Sequence, residues 1–162
     1  MIVTGQCDVT LQCQVFQAQD QTTGQVVAVK RSYVSLRLRA KRTIFQHEAR
    51  VLQTLQGHPA IPLLYAVGRF EHFEYISMEL SGPTIGDIQG QVLEVRKRIA
   101  AQLAVQMLSA LEHMHSHDLV HRDMKTDDIL LCPTDHRGIR LIDFGLARQR
   151  PIMCQEPYLV RV

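Results

Sequence analysis

The apolar pattern of the chain changes its period at Ser81-Gly82-Pro83, and that change limits the folds open to it. Before this point apolar and polar residues alternate over short runs, the two-residue period of half-buried strands. Residues 9–15 read Val-Thr-Leu-Gln-Cys-Gln-Val, which predicts one strand, continued over 16–18. Gln21-Thr22-Thr23-Gly24 is a turn signal, and residues 25–30 form the second arm of an antiparallel hairpin. Phe45, Ala49, Leu52 and Leu55 stand at helical spacing, and Gly57-His58-Pro59 ends that helix. Two further strands are expected over 63–67 and 75–80. After Pro83 the period lengthens: Ile99, Leu103, Met107, Leu111 and Met114 make one stripe of a long helix over 93–117. Short strands bracket the loop 133–138. A sheet first and helices later predicts an α+β fold.

Composition narrows the function. The 162 residues are 46% hydrophobic and 21% charged, enough for one globular domain with a real core. A net charge of +2 gives no argument for nucleic acid, and no apolar run is long enough for a membrane span. The opening residues 1–6 lack the regions of a signal peptide. Cys7, Cys13, Cys132 and Cys154 are scattered without metal-ligand spacing, so reduced thiols are expected. Together these point to the cytoplasm or nucleus. The basic stretch Arg31, Arg37, Arg39, Lys41 and Arg42 reads as a solvated loop leading into a helix rather than a phosphate-binding or membrane-surface patch. His113 and His117 can share a helix face, but zinc needs a third protein ligand there and none is evident.

Four separated pieces carry the chemistry: Val27-Ala28-Val29-Lys30, then Glu48, then His121-Arg122-Asp123, then Asp143-Phe144-Gly145. Their order and spacing resemble the signature set of eukaryotic protein kinases. Met78-Glu79-Leu80-Ser81-Gly82-Pro83-Thr84 and Gln106-Met107-Leu108-Ser109-Ala110-Leu111 are similar to the hinge and the helix before the catalytic loop in the casein kinase 1 family. The resemblance implies an antiparallel-sheet N-lobe with one main helix over residues 1–80. An incomplete, mainly helical C-lobe would follow over 81–162.

It also implies Mg-ATP as cofactor and transfer of the γ-phosphate to protein serine or threonine. Lys30 would touch the α- and β-phosphates, held by an ion pair with Glu48. Asp123 would accept the proton of the substrate hydroxyl, and Lys125 would steady the γ-phosphate. Asp143 and Asp128 would hold magnesium. Val15, Ala28 and Leu130 would sandwich the adenine, Met78 would back the pocket, and backbone groups near Glu79 and Ser81 would meet the ring edge. Phe144 would stack with His121, Leu52 and Leu64.

Three departures set expectations of their own. The glycines of the phosphate-covering loop are replaced by Asp8, Thr10 and Cys13. Each lost charge-assisted bond costs about 1.5–3 kcal/mol, so weak nucleotide binding is expected. Asp128 stands where the family has asparagine. The 17 residues after Gly145 hold no Ala-Pro-Glu motif, and Tyr158 is their one hydroxyl. The open face of the long helix then predicts either a second chain that covers it or a marginally folded product. Three readings follow: a kinase, a catalytically impaired pseudokinase-like interaction module, or a partial gene product.

Overall fold

Three consecutive strands open the chain as two hairpins: β1 (Ile2–Val9), β2 (Gln14–Gln19) and β3 (Val26–Tyr33). Helix α1 (Ile44–Leu55) follows, then β4 (Leu64–Phe70) and β5 (Phe73–Glu79). Because β5 returns beside β3, the antiparallel sheet has the order β1-β2-β3-β5-β4. The computed structural model describes residues 2–9, 13–33, 44–70, 72–88, 93–133 and 137–150.

The strand expected over 9–15 is two strands, and the stretch 2–9 is a strand that the sequence pattern left unassigned. Val9 pairs with Gln14, so the chain reverses between them. Alternation of Val9, Leu11, Cys13 and Val15 is compatible with one long strand or two paired ones, so period alone could not locate the turn. Of the three glycine-loop positions, Asp8 pairs with Val15 in β1, Cys13 precedes β2, and Thr10 lies outside the described residues.

Alternation along β3 gives the sheet two unlike faces. Val27 and Val29 are buried with Ala18 on one side, where Tyr75 packs against them. Ala28 joins the main core on the other side with Ile76, Met78 and the α1 residues Phe45, Ala49 and Leu52. Arg31 corrects an expectation, because it belongs to β3 and not to a solvated loop. Its guanidinium lies over the rings of Phe16 and Phe73 at 4.5 and 4.8 Å and bonds Gln14 Oε1. Residues 34–43, with the other four basic side chains, fall outside the described residues.

Helix α1 buries the face carrying Phe45, Glu48, Ala49, Leu52 and Leu55. Gly57, at φ +99°, ends it with a backbone conformation that side-chain-bearing residues resist. Helix α2 (Leu93–Ser116) covers the core with its C-terminal half. Ala110 and Met114 are fully buried, and Leu103 and Met107 pack against the core. Leu111 is half-buried, whereas the side chain of Ile99 falls outside the described residues. Val105 and Leu108, on another face of α2, are each 67% exposed.

Beyond α2 come β6 (Leu119–Val120), the hairpin β7 (Ile129–Leu131) with β8 (Ile139–Leu141), and β9 (Arg148–Gln149), which pairs with β6. The segment after β5 bonds along β7: Gly82 N–H donates to Leu131 O at 2.8 Å, and Leu131 N–H to Pro83 O at 2.9 Å. A side chain at Gly82 would meet Leu131 O at 3.0 Å, so glycine permits this approach. Among the described residues no helix is long and apolar enough to cross a membrane.

Candidate active site

Glu48 is the one acidic residue on the buried face of α1, and its side chain is 2% exposed. A buried carboxylate needs a partner, and β3 supplies one. Lys30 Nζ lies 2.8 and 2.9 Å from the two Glu48 oxygens and 3.0 Å from Asp143 Oδ1. Residues 113 positions apart thus meet at one ammonium group. Burial by itself would lower the Lys30 pKa, but the charges of Glu48 and Asp143 outweigh it and hold the amine well above its ordinary value. Burial also works to raise Asp143, yet Lys30 wins there and keeps that carboxyl below the usual range.

The loop between β6 and β7 carries the other charged groups. Lys125 Nζ stands 4.0 Å from Asp123 Oδ2 and 3.7 Å from Asp128 Oδ1. Lys125 N–H donates to Asp128 Oδ2 at 3.3 Å, which fixes that carboxylate inward. Burial, reinforced by the nearby Asp143 charge, pushes Asp128 up against the pull of Lys125. Asp123, at 53% exposure, faces solvent. Arg122 and Asp143 both have positive φ, 76° and 64°, and such strain in side-chain-bearing residues collects where geometry serves chemistry.

Beneath these residues His121 donates Nε2–H to Ile142 O at 3.0 Å, and its buried Nδ1 has no partner among the described residues. The ring meets Phe144 edge-on at 5.3 Å. Phe144 and Leu52 share one core cluster, with Leu64 packed against it. Ala28 and Met78 line the same core, and Val15 packs against it. Leu130 is half-buried and paired with Thr84 through an isolated bridge, which sets it beside the segment after β5. The Glu79 N–H is committed to Leu63 O at 2.8 Å. Ser81 Oγ is buried with no partner among the described residues.

A protein kinase domain family model matches residues 12–154. The chain belongs to the protein kinase family. It is 35% identical over 108 residues to casein kinase I homolog 1 of Saccharomyces cerevisiae, a match covering 63% of this chain and 20% of that protein. Casein kinase I homolog 2 of the same yeast is also 35% identical over 108 residues, covering 63% and 19%. The putative ribosomal protein S6 kinase alpha-2 of Caenorhabditis elegans is 36% identical over 108 residues, covering 65% and 14%. The matches thus span no more than about a fifth of these relatives. The kinase family and the casein kinase I likeness stand as the sequence motifs implied.

Protein kinases use ATP and magnesium, and the donor set can be compared with that need. Magnesium takes one or two carboxylates together with phosphate oxygens and water. Asp143 and Asp128 would provide such a pair, and the Asp143 charge bears on Asp128. Among the described residues no group of three His, Cys, Asp or Glu is poised to hold a metal by protein ligands alone. The residues therefore fit an ion shared with phosphates.

His113 and His117 do meet, edge to face at 4.6 Å, and His58 stacks on His113 at 4.9 Å. Each of these rings engages at least one nitrogen in a hydrogen bond. His58 accepts from Ala60 N–H, and its Nε2 contacts Ser109 Oγ, while His113 donates to Leu55 O and His117 to the carbonyl of His113.

Two groups escaped the sequence pattern. His47 Nε2 lies 2.6 Å from Ala147 O, joining α1 to the segment after Asp143-Phe144-Gly145. Arg140 forms a forked ion pair with Glu79 at 2.9 and 2.8 Å. Its one signal was position: a cation between the buried Ile139 and Leu141 of a short strand. A shallow cavity of about 430 Å³ lined by Ala101, Val105 and Arg137 lies along α2, apart from all these residues.

Proposed function

We propose that this chain is a casein kinase 1-like serine/threonine kinase domain that binds Mg-ATP. Residues 1–80 would hold the nucleotide, and 81–162 would carry the catalytic loop. The single observation behind this is Lys30 shared between Glu48 and Asp143 at 2.8 and 3.0 Å, which preorganises a cation beside a metal-binding carboxylate. Phosphoryl transfer needs positioning and charge neutralisation more than covalent help. When bound, Mg-ATP supplies the phosphoryl group and a metal that offsets its charge. Lys30 orients the α- and β-phosphates, and Asp143 with Asp128 holds the ion. Asp123, exposed and steadied by Lys125, takes the proton of a serine or threonine hydroxyl. Val15, Ala28, Leu130 and Met78, with backbone groups of Glu79 and Ser81, form the adenine site. The partner is a protein substrate, the exposed Val105–Leu108 face of α2 is where a second chain would sit, and the setting is the cytoplasm or nucleus.

Asp8 and Cys13 in place of glycine favour a second reading, an interaction module without turnover. A thermal melt with and without millimolar Mg-ATP separates the two. Binding to the folded state raises stability by about RT ln(1 + [ATP]/Kd). An upward shift that shrinks in Asp143→Ala, with label transfer to protein serine lost in Asp123→Asn, supports the kinase. A cooperative melt without any shift supports the module and removes the kinase reading.

A further inference from the structure

We propose that His58, His113 and His117 form an acid-sensitive seam between α2 and the loop that joins α1 to β4, and that the seam loosens when His58 takes a second proton. The inference rests on the geometry of the three rings and is independent of the kinase reading.

Ring nitrogens and backbone groups alternate along the seam. His113 Nε2–H donates to Leu55 O at 3.0 Å, which pins the last residue of α1 to α2. His117 Nδ1–H donates to the His113 carbonyl at 2.9 Å, and the two rings meet edge to face. His58 stacks on His113 with the ring planes 24° apart. Its Nδ1 accepts Ala60 N–H at 3.1 Å, so that nitrogen must keep its lone pair. The single proton of the ring then sits on Nε2, which donates to Ser109 Oγ of α2 at 3.1 Å. One ring thus bonds its own loop through one nitrogen and α2 through the other. It does both only while neutral.

A second proton on His58 must go to Nδ1, where it turns the acceptor of Ala60 N–H into a donor and breaks that bond. It also sets a positive ring against His113, whose own second proton leaves the bond to Leu55 O in place. From α2, His58 faces His113 with His117 behind it. From β8, Arg140 Nη1 donates to the neighbouring Pro59 O at 2.6 Å, and the Glu79 carboxylate of β5 is committed to Arg140 and Leu63 N–H. The loop itself, residues 56–63, holds no other charged side chain. Burial and the His113 charge together hold His58 below its ordinary value of 6.5. The folded chain therefore binds fewer protons here than the unfolded one. The contribution of the seam to stability is complete above pH 6.5 and is lost as pH falls from there through the lowered value. Acid thus acts on the end of α1, the helix that carries Glu48.

The test is imidazole and amide NMR of the full chain, titrated downward from pH 7.5. His58 is expected as the Nε2–H tautomer at the start and with a midpoint below 6.5, and the Ala60 N–H signal should move with that same midpoint. Protection of the Ala60 N–H against exchange, corrected for the intrinsic rate, should fall about fivefold across it, the effect of losing one neutral hydrogen bond. His58→Asn keeps an acceptor for Ala60 N–H and cannot titrate, so that loss should vanish. His113→Gln keeps a donor for Leu55 O and removes the charge facing His58, so the His58 midpoint should rise. An Nδ1–H tautomer, a midpoint at or above 6.5, or the same loss of protection in His58→Asn overturns the proposal. So does a His58 midpoint that stays put in His113→Gln. Should either variant fail to fold, the tautomer, midpoint and Ala60 protection of the parent decide alone.

Discussion

Lys30→Met is the sharpest probe of the buried charges, because it removes a charge and keeps a similar shape. Glu48 is then left 2% exposed without its cation. Breaking a buried pair from one side typically costs ~3–5 kcal/mol. The protein has a cheaper route, which is to protonate Glu48. Holding a proton at pH 7 on a carboxyl of ordinary value 4.5 costs about 3.4 kcal/mol, at ~1.36 kcal/mol per unit. That figure caps the damage, so Lys30→Met should lower stability at pH 7 by about 3 kcal/mol, or roughly 6–12 °C in melting temperature. The pH dependence follows with a definite sign. Burial raises the folded-state value of Glu48 above 4.5, so the folded variant binds the proton more tightly than the unfolded chain. Its stability is fully present below 4.5 and drains away as pH rises through the raised value. Thermal melts of parent and variant at pH 5 and 7.5 should therefore show a deficit that grows with pH. Adding Glu48→Gln should flatten that growth. A deficit that is absent, or equal at both pH values, would show that Glu48 is hydrated in solution and refute the reasoning.

Other consequences can be checked alongside. Asp128→Asn keeps an oxygen for Lys125 N–H and removes a charge opposed by burial and Asp143; the melting temperature at pH 7.5 should rise by about 1–3 °C, and a fall counts against it. Met114→Ala should cost ~2–5 kcal/mol in denaturant unfolding, while Leu108→Ser on the exposed face of the same helix should stay within ~0.5 kcal/mol. Burial tends to raise Glu79, but its bonds from Arg140 and Leu63 prevail and hold it low. Its stabilising contribution is thus present above 4.5 and lost as pH falls through the lowered value. The stability gap between parent and Glu79→Gln should close below about pH 4, and a gap that widens there reverses the sign.

The candidate site was legible where chemistry and local order coincide. Lys30 and Glu48 could be named because they stand in order with the other motifs that resemble the kinase signature, Lys30 at the end of a β-branched run. That Asp143 also reaches Lys30 was not legible, since nothing local to either residue encodes a contact 113 positions away. Arg140 and Glu79, 61 positions apart, were hidden for the same reason. The pair His113 and His117 was readable from helical spacing. His58, which completes the stack, comes from a loop whose path depends on Arg140 and Leu141.

The sequence by itself determined the alternation that makes Val27–Lys30 a strand, the stripe that seats Met114 in the core, and the ordered motifs that mark a kinase. These are properties of neighbours, governed by backbone period and side-chain chemistry. Tertiary structure alone decided where the first hairpin turns, which carboxylates share Lys30, and how β8 is tied to β5. Those outcomes depend on burial: a charge withdrawn from water must find its partner wherever the fold has brought one within about 3 Å.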